Sequence, residues 1–425
     1  MAEMSEKVRA SGGTRRGAGA LPPHAGSLVA MIWASGGISR AELSRRTALA
    51  RSTISITVSS LLAKGLVSEL GAGPSRGGRR PILLRFEDDA FGVVGVDVGR
   101  THVAVALTNL RGRVVAWERR DHPVHADPAG TRAAIAELIE ACLARWQWPR
   151  ERLVAIGVGM PSPVAHDAYE SLSRVVLPAW KGRGGFEELE ERFGVPVLLD
   201  NDANLGALAE HWWGAGRGID DLVYVEVSAG IGSGHIVGGK VYRGANGVAG
   251  ELGHLPVDPG GAPCECGLRG CLTHVVSEPD VLGRLAALRS ELPGSSLAGR
   301  EITMAVFEEA AAAGDPLARR VLDETVGFLA TGIAGMVNLL NPAMVIVGGG
   351  LARLGDLLVV PLRRAVQDRT RVSSARPLQL VASALGERTV ALGAATYALE
   401  TALADVGLFP DARRGALAAV EPPEK

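Results

Sequence analysis

The chain has 425 residues, of which 47% are hydrophobic, and a formal net charge of −1. This length predicts two or three domains, and the apolar content is enough for buried cores. Uncharged apolar runs of about 18 residues are missing, and the first twenty residues lack an apolar core, which argues against a membrane-spanning helix and a secretory signal. We therefore expect a cytoplasmic protein that begins with a disordered tail over residues 1–23.

The charge is unevenly distributed along the chain. Residues 1–86 contain 13 Lys and Arg but only 4 Asp and Glu, a net charge of +9. The remaining residues contain 32 basic and 42 acidic side chains, a net charge of −10. A basic N-terminal segment on an acidic body predicts that only this segment contacts a polyanion.

Residues 24–86 show three short helical patterns. The second begins at a capping box, Ser39 and Glu42, in which each side chain can satisfy a free backbone N–H at the helix start. The third spans about residues 51–64 and has apolar residues at helical spacing. A strand follows at 66–70. This order of elements is typical of a winged helix-turn-helix DNA-binding domain.

The polar face of the third helix and the Arg/Gly-rich segment after the strand contain the candidate DNA contacts. Short hydroxyl side chains suit phosphates and base edges, and flexible arginines can enter a minor groove. The alternatives are a protein-interaction or dimerisation module for the helices and a solvated basic hairpin and linker for residues 71–81. The predicted DNA contacts are Arg51, Ser52, Thr53, Ser55, Thr57, Arg76, Arg79 and Arg80.

Residues 91–405 alternate apolar strands with helices, which predicts an α/β body. Similar strand–turn–strand patterns near residues 93 and 222 suggest two related lobes. One strand ends in Asp200, Asn201 and Asp202, and acids at the end of an apolar strand are costly unless they bind something. One acid could be a general base toward a hydroxyl, and the alternative is a helix cap.

Three turns that follow strands could bind phosphate through backbone N–H groups. They are the Asp97–Gly99 turn, the glycine-rich loop at 228–234 and the three glycines at 348–350. Each pattern is weak alone, because glycines also turn ordinary hairpins.

The segment 251–271 contains three of the four cysteines in the chain. Together with His254, Cys264, Cys266 and Cys271 form a complete ligand set for a four-coordinate zinc ion. The alternative, a disulfide, would leave one thiol unpaired. Because four protein ligands leave no open coordination position, the sequence predicts a structural zinc rather than a catalytic one.

Together these motifs resemble the ROK family of repressors and sugar kinases. The resemblance implies two actin-like (ribonuclease-H-like) lobes, at about 91–215 and 216–388, with a sugar site in the cleft between them. It also implies a final helix at 389–405 that returns to the first lobe, before a tail at 406–425. The winged helix-turn-helix is similar to that of the family's regulators, which implies a homodimer or homotetramer. The matching stretches are GVDVGRTHV at 95–103, VPVLLDNDANLGALAE at 195–210, SAGIGSGHIVGGKVYRGANGVAGELGH at 228–254, CECGLRGC at 264–271 and NPAMVIVGGG at 341–350.

The resemblance assigns roles to individual residues. It implies that Asn201, Asp202, Glu251 and His254 contact the sugar, with His254 shared between sugar and zinc. Asp202 matches the position of the family's catalytic base. The positions that match the ATP-binding segments are Asp97, Gly99, Thr101, Gly230, Gly232, Gly348 and Gly349.

Four residues depart from the pattern of the family's kinases. Arg100 and Ala229 replace a Gly and a Thr in the two phosphate loops, while Thr273 and Val176 replace a Glu and an Asn near the sugar. Because phosphoryl transfer needs an intact phosphate cradle, the ATP loops are expected to be vestigial.

We therefore expect a sugar-responsive transcriptional repressor of carbohydrate metabolism genes that binds a double-stranded DNA operator. The alternative is an active sugar kinase that uses ATP and Mg²⁺, with Asp202 as the base and an accessory DNA-binding arm. A body that responds to a protein partner instead of a sugar is a third hypothesis.

Overall fold

The computed structural model of the chain describes residues 24–72, 80–165, 171–290, 292, 294–372 and 378–410. The predicted tail at 1–23 and the predicted DNA contacts Arg76 and Arg79 lie outside these ranges. Among the helices within them, not one is both long and apolar enough to cross a membrane.

The N-terminal part folds as a winged helix. Its second helix begins at the predicted cap, where the Ser39 hydroxyl accepts a hydrogen bond from the Glu42 backbone N–H at 3.2 Å. Two antiparallel strands form the wing, with Val67 opposite Phe86, and a third short strand completes a three-stranded sheet. The elements are α1 (Ala25–Ala34), β1 (Ile38–Ser39), α2 (Arg40–Thr47), α3 (Arg51–Ala63), β2 (Val67–Ala72) and β3 (Ile82–Phe86).

The first lobe is built on a five-stranded sheet with the order β10-β7-β4-β5-β6. β4 pairs antiparallel with β5 and parallel with β7. β4 and β7 are buried along their whole length, as expected for a sheet covered on two faces. The elements are β4 (Gly92–Val98), β5 (His102–Asn109), β6 (Val114–Asp121), α4 (Pro128–Arg145), β7 (Leu153–Met160), β8 (Val164–Ala165), β9 (Ser171–Leu172), α5 (Glu187–Phe193), β10 (Val197–Asn201) and α6 (Asp202–Trp212).

The second lobe repeats this topology in the order β13-β12-β11-β14-β15. Here β11 pairs antiparallel with β12 and parallel with β14, as β4 does with β5 and β7. The two strand–turn–strand patterns in the sequence therefore begin two sheets of the same design. The elements are β11 (Leu222–Val227), β12 (Ile231–Val237), β13 (Lys240–Val241), α7 (Thr273–Val276), α8 (Glu278–Leu288), α9 (Met304–Ala312), α10 (Pro316–Leu340), β14 (Met344–Gly348), α11 (Asp356–Arg369) and β15 (Gln379–Ala382). The chain then returns to the first lobe with a final helix, α12 (Thr389–Ala404).

The last helix, α12, packs directly on the first-lobe sheet. A Cβ atom added at Gly95 in β4 would lie 1.8 Å from the carbonyl oxygen of Ala391, and one at Gly157 in β7 would lie 2.0 Å from that of Ala394. Helix and sheet backbones can approach this closely only because glycine has no side chain. The C-terminal end of the chain is thus part of the first lobe.

The winged helix shares one hydrophobic core with the first lobe and α12. Leu28 and Ile32 of α1 are fully buried in a cluster that also contains Phe91, Leu399 and Phe409. Phe91 and Phe409 stack edge to face with ring centroids 5.4 Å apart.

Backbone contacts reinforce this junction. A Cβ atom at Gly26 in α1 would lie 2.7 Å from the carbonyl oxygen of Ala404, at the end of α12. The Trp33 indole N–H donates to the carbonyl oxygen of Leu110 at 2.8 Å. Val406 and Phe409 are buried, so the tail predicted from residue 406 does not begin there. The N-terminal domain is therefore anchored to the body over a continuous apolar surface.

Candidate functional site

The end of β10 delivers three polar residues to the junction with α6. Asn201 caps the helix, because its side-chain oxygen accepts hydrogen bonds from the backbone N–H groups of Ala203 at 3.0 Å and Asn204 at 3.2 Å. The helix cap, which is the alternative to ligand binding at this strand end, is therefore present at Asn201. Its amide nitrogen donates to the carboxylate of Asp202 at 3.0 Å, so the two predicted sugar-contact residues are held side by side.

Asp202 lies in an environment that favours its protonated form. Burial raises the pKa of its carboxyl group to about 7, and the negative charges of Asp97 and Glu251 add to this effect. A carboxyl group with a pKa near neutrality can accept a proton from a hydroxyl or share one with it. The chemistry of Asp202 thus suits a ligand that carries hydroxyl groups.

The glycine-rich loop at 228–234, which we call the second phosphate loop, faces Asp202 from the other lobe. A Cβ atom added at Gly232 would lie 3.0 Å from the Ala203 side chain and 3.9 Å from Asp202 Oδ1. One added at Gly230 would lie 3.3 Å from an amino nitrogen of Arg100. The structure therefore brings the loop of the second lobe up to both Asp202 and Arg100 of the first.

Arg100 and His102 cover the turn at Asp97–Gly99, which we call the first phosphate loop. The Arg100 Nε donates to Nε2 of His125 at 3.1 Å, and its guanidinium group extends toward Gly230. The His102 ring lies over Gly99, 2.2 Å from where a Cβ atom would be, and its Nε2 is 3.2 Å from Asp97. Side chains thus occupy the surface at which the resemblance implies a bare backbone for phosphate.

The glycines at the end of β14 have packing roles of their own. A Cβ atom at Gly348 would lie 2.2 Å from the Tyr224 hydroxyl, so this position must be small. Gly349 has a φ of +79°, which disfavours any other residue, and its Cβ position is 2.4 Å from the carbonyl oxygen of Val227. These two glycines are explained by the fold without a nucleotide.

Sequence reasoning missed one acidic residue at this cleft, Glu226. It lies near the end of β11, opposite Gly232 on one side and Gly348 on the other. Burial, followed by the charges of Asp202 and Asp97, raises the pKa of its carboxyl group well above its usual range. The only sequence signal for Glu226 is that it is a charged residue in an otherwise apolar strand, LVYVEV.

The four predicted metal ligands converge. Their donor atoms all lie within 4.8 Å of one another. His254 Nδ1 is 3.4 Å from Cys264 Sγ, and Cys266 Sγ is 3.6 Å from Cys271 Sγ. A zinc tetrahedron with Zn–S bonds of about 2.3 Å has sulfur–sulfur edges of roughly 3.8 Å. The residues present therefore fit a structural zinc ion.

His254 connects this cluster to the cleft. While its Nδ1 faces the cysteines, its other ring nitrogen lies 3.9 Å from the carboxylate of Glu251. A second group of possible ligands, Glu265 and His274, adjoins Cys264. Thr273, which stands where the resemblance implies a sugar-contacting Glu, begins the helix α7 just after the last cysteine.

The predicted DNA-contacting face of α3 needs one correction. Arg51, Ser52 and Ser55 are exposed, and Thr53 is half-buried. Thr57 is fully buried, and its hydroxyl donates to the carbonyl oxygen of Thr53, so its prediction as a DNA contact is wrong.

Ile56, which the sequence reasoning passed over, is instead 61% exposed on the outer face of this helix. Arg80, two residues before β3, is exposed.

Comparisons with known proteins agree with this architecture. The ROK family model matches residues 93–401. The chain is similar to a xylose repressor from Caldicellulosiruptor bescii, with 30% identity over 88% of this chain and 94% of the relative. It is also similar to a glucokinase from Thermotoga maritima, with 34% identity over 72% of this chain and 97% of the relative.

A solved structure extends the similarity to the N-terminal part. The crystal structure of a ROK family transcriptional regulator, a homologue of the E. coli MLC protein, superposes with a TM-score of 0.77 and 28% identity. The match covers 91% of this chain and 97% of that one. The predicted two-lobed fold is thereby confirmed, and the chain belongs to the ROK family.

Proposed function

We propose that this protein is a sugar-responsive transcriptional regulator that represses genes of carbohydrate metabolism. The observation that carries the proposal is the set of side chains that line the cleft between the lobes. Asn201 and Asp202 lie side by side, and in this proposal their amide and carboxyl groups contact the sugar hydroxyls. Arg100 extends from the first phosphate loop toward Gly230 of the second. The cleft therefore favours binding of a sugar over transfer of a phosphoryl group.

The winged helix supplies the output of this sensor. Its helix α3 presents exposed polar side chains on the side away from the domain core, as a helix that enters the major groove must. The xylose repressor and the ROK regulator match this chain over both the N-terminal part and the body. In this proposal a homodimer or homotetramer binds an operator with two half-sites, and the sugar changes the spacing of the winged helices.

A structural zinc ion would couple the two events. Held by His254 and the three cysteines, it would order the segment that also carries Glu251. Because the imidazole ring of His254 faces both Cys264 and this carboxylate, a sugar that contacts Glu251 would act directly on the loop that would hold the zinc. Zinc itself would supply only the cross-link, since four protein ligands leave no position for a substrate.

A sugar kinase remains the second candidate, because Asp202 has the pKa of a general base and a glucokinase is among the relatives. Release of ADP from ATP with a panel of aldoses would test it, with the Asp202→Asn variant as control. We expect no sugar-dependent turnover above that of the variant. Turnover that disappears in Asp202→Asn would establish the kinase.

Operator binding tests the main proposal. The operator would be selected in vitro from random duplexes with the full chain, and its affinity would then be measured with and without each sugar. At least one sugar is expected to weaken operator binding by tenfold or more. An affinity that is unchanged across the whole panel would contradict the proposal and favour a protein partner as the signal.

A further inference from the structure

Helix α6 connects the predicted sugar contacts with the N-terminal domain. Asn201 caps its first turn, Asp202 is its first residue and Trp212 is its last. Its 11 residues, at about 1.5 Å each, give a length of roughly 16 Å. At the far end the Trp212 ring meets that of Trp33 in α1 edge to face, with centroids 5.6 Å apart and an interplanar angle of 62°. One helix therefore contacts both the predicted sugar site and the winged helix.

The second lobe packs directly against α6. A Cβ atom added at Gly234 of β12 would lie 2.0 Å from the carbonyl oxygen of Ala203, in the first turn of α6. One added at Gly206 of α6 would lie 2.3 Å from the ring of Tyr224 in β11. Contacts this close leave no space in which side chains could absorb a displacement. A change in the angle between the lobes would therefore act on α6.

Trp212 has a further connection to the second lobe. Its indole N–H donates a hydrogen bond to the carboxyl group of Glu400 in α12 at 3.0 Å. Burial raises the pKa of this carboxyl group to about 7, while the Trp212 hydrogen bond and the positive charge of Arg243 oppose the rise. Arg243 belongs to the second lobe and also forms an ion pair with Asp200, at the end of β10. The surroundings of Trp212 thus include a charge that lies across the cleft.

Trp33 lies where three parts of the N-terminal junction meet. The Arg111 guanidinium group, from the turn between β5 and β6, lies 4.4 Å from the centre of the Trp33 ring and 5.8 Å from that of Phe86 in β3. It also donates a hydrogen bond to the Trp33 carbonyl oxygen at 2.7 Å. Because α1 is a helix through which the domain is anchored to the body, a shift at Trp33 would change the orientation of the domain.

We propose that Trp212 is a positioning residue that transmits the state of the sugar site, through its contact with Trp33, to the winged helix. This inference rests on the proposed function, because it names the contact by which a bound sugar weakens operator binding. Coupling between two sites needs an element that both sites act on, and α6 reaches both. The zinc loop would order the cleft at one end of α6, and Trp212 acts at the other.

The coupling factor tests the assignment, which is the ratio of operator affinities without and with saturating sugar. It would be measured with the full chain, a duplex selected from random sequences, and xylose, glucose, mannose or N-acetylglucosamine. We expect a wild-type factor of at least tenfold for one sugar. Trp212→Leu and Trp33→Leu should each lower it to about threefold or less, while calorimetry without DNA gives a sugar affinity within about threefold of wild type. The double variant should lower it no further, since both changes remove one contact.

A matched control and a second pair of variants keep the test decisive. Trp146 is half-buried like Trp212 and also stacks edge to face, but on Trp148 within the first lobe, at 6.4 Å. Trp146→Leu should therefore keep the wild-type factor. Trp212→Phe and Trp33→Phe replace the Leu variants if those do not fold, and the smaller ring should still lower the factor at least twofold.

The outcomes separate this inference from the function on which it rests. Folded Trp212 and Trp33 variants that keep the wild-type factor, even with weaker operator binding, would leave Trp212 a structural role only and overturn the inference. Loss of sugar binding in Trp212→Leu, or an equal fall in Trp146→Leu, would overturn it too. A wild-type protein whose operator affinity responds to no sugar would overturn the proposed function, and this inference with it.

Discussion

Arg243 of the second lobe forms an ion pair with Asp200 of the first, with Nε and Oδ2 2.8 Å apart. The Asp200 side chain is 1% exposed. Its other oxygen accepts hydrogen bonds from the side chain of Asn204 and from the backbone of Asn201. The pair thus connects the segment that leads to Glu251 with the strand end that carries the predicted sugar-contact residues Asn201 and Asp202.

Replacement of Arg243 by Met should destabilise the protein by about 3–5 kcal/mol, because it leaves a buried carboxylate without its cation. Urea unfolding measures this loss. Arg320→Met is the control, since Arg320 pairs with Glu324 on the surface, where such pairs contribute about 0–1 kcal/mol. Equal losses of unfolding free energy in the two variants would show that the inter-lobe ion pair stabilises the protein no more than a surface pair does.

Replacement of Cys266 by Ser should abolish zinc binding and lower the melting temperature, because three ligands hold the metal less tightly and the folded loop depends on it. Metal analysis of the purified protein should give one zinc per chain for the wild type and none for the variant. Cys142 is the matched control, since it is buried in the first lobe outside the cluster. Loss of zinc in Cys142→Ser as well would refute the ligand set.

Replacement of Asp202 by Asn should change how stability depends on pH. The carboxyl group has a pKa of about 7 in the folded protein against 3.8 ordinarily, so the folded state binds the extra proton between these values. Its contribution to the free energy of unfolding therefore falls as pH rises from about 4 to about 7.

The Asn variant lacks this slope. We therefore compare the free energy of unfolding of the variant minus that of the wild type at two pH values. This difference should be larger at about pH 8 than at about pH 4, by on the order of 2–4 kcal/mol. Urea titrations at several pH values would check this. A difference that is constant with pH would mean that burial does not raise the pKa of Asp202.

Replacement of Ile56 by Ala should weaken operator binding about five- to tenfold, because an exposed apolar side chain on α3 can contact a thymine methyl group. Operators in which single thymines are replaced by uracil would locate the contact, since the variant should be insensitive to loss of that methyl group. Thr57→Val is the control, because Thr57 is buried and should leave affinity unchanged. Weaker binding by Thr57→Val but not Ile56→Ala would reverse our assignment.

The histidine–cysteine cluster and the winged helix could be predicted from the sequence because both are local. The four predicted metal ligands lie within 18 residues, from His254 to Cys271, and cysteines are rare elsewhere in the chain. The cap at Ser39 is likewise a short-range signal, and the structure shows its hydrogen bond.

Residue type alone misplaces Thr57. Its polarity suggests the DNA face of α3, yet it lies three residues after Ile54 and four before Leu61, both of which are buried. The same helical spacing exposes Ile56. Helix phase therefore decides which side chains of α3 are free to contact a base.

Long-range relationships could not be predicted in this way. The approach of Arg100 to Gly230 and the pairing of Arg243 with Asp200 join residues from different lobes. Glu226 gained its significance only when the register of the sheet placed it between Gly232 and Gly348. Sequence spacing contains no information on such neighbours.

The apolar junction among α1, the first lobe and α12 constrains how this protein can be re-engineered. Cutting the chain after Phe86 would expose Leu28 and Ile32 on one fragment and Phe91 and Leu399 on the other. A hybrid regulator that borrows only the first 86 residues would inherit half of an interface. Exchange of operator specificity between relatives therefore calls for transplanting the outer surface of α3 alone, or for moving the N-terminal domain together with the C-terminal helix on which it rests.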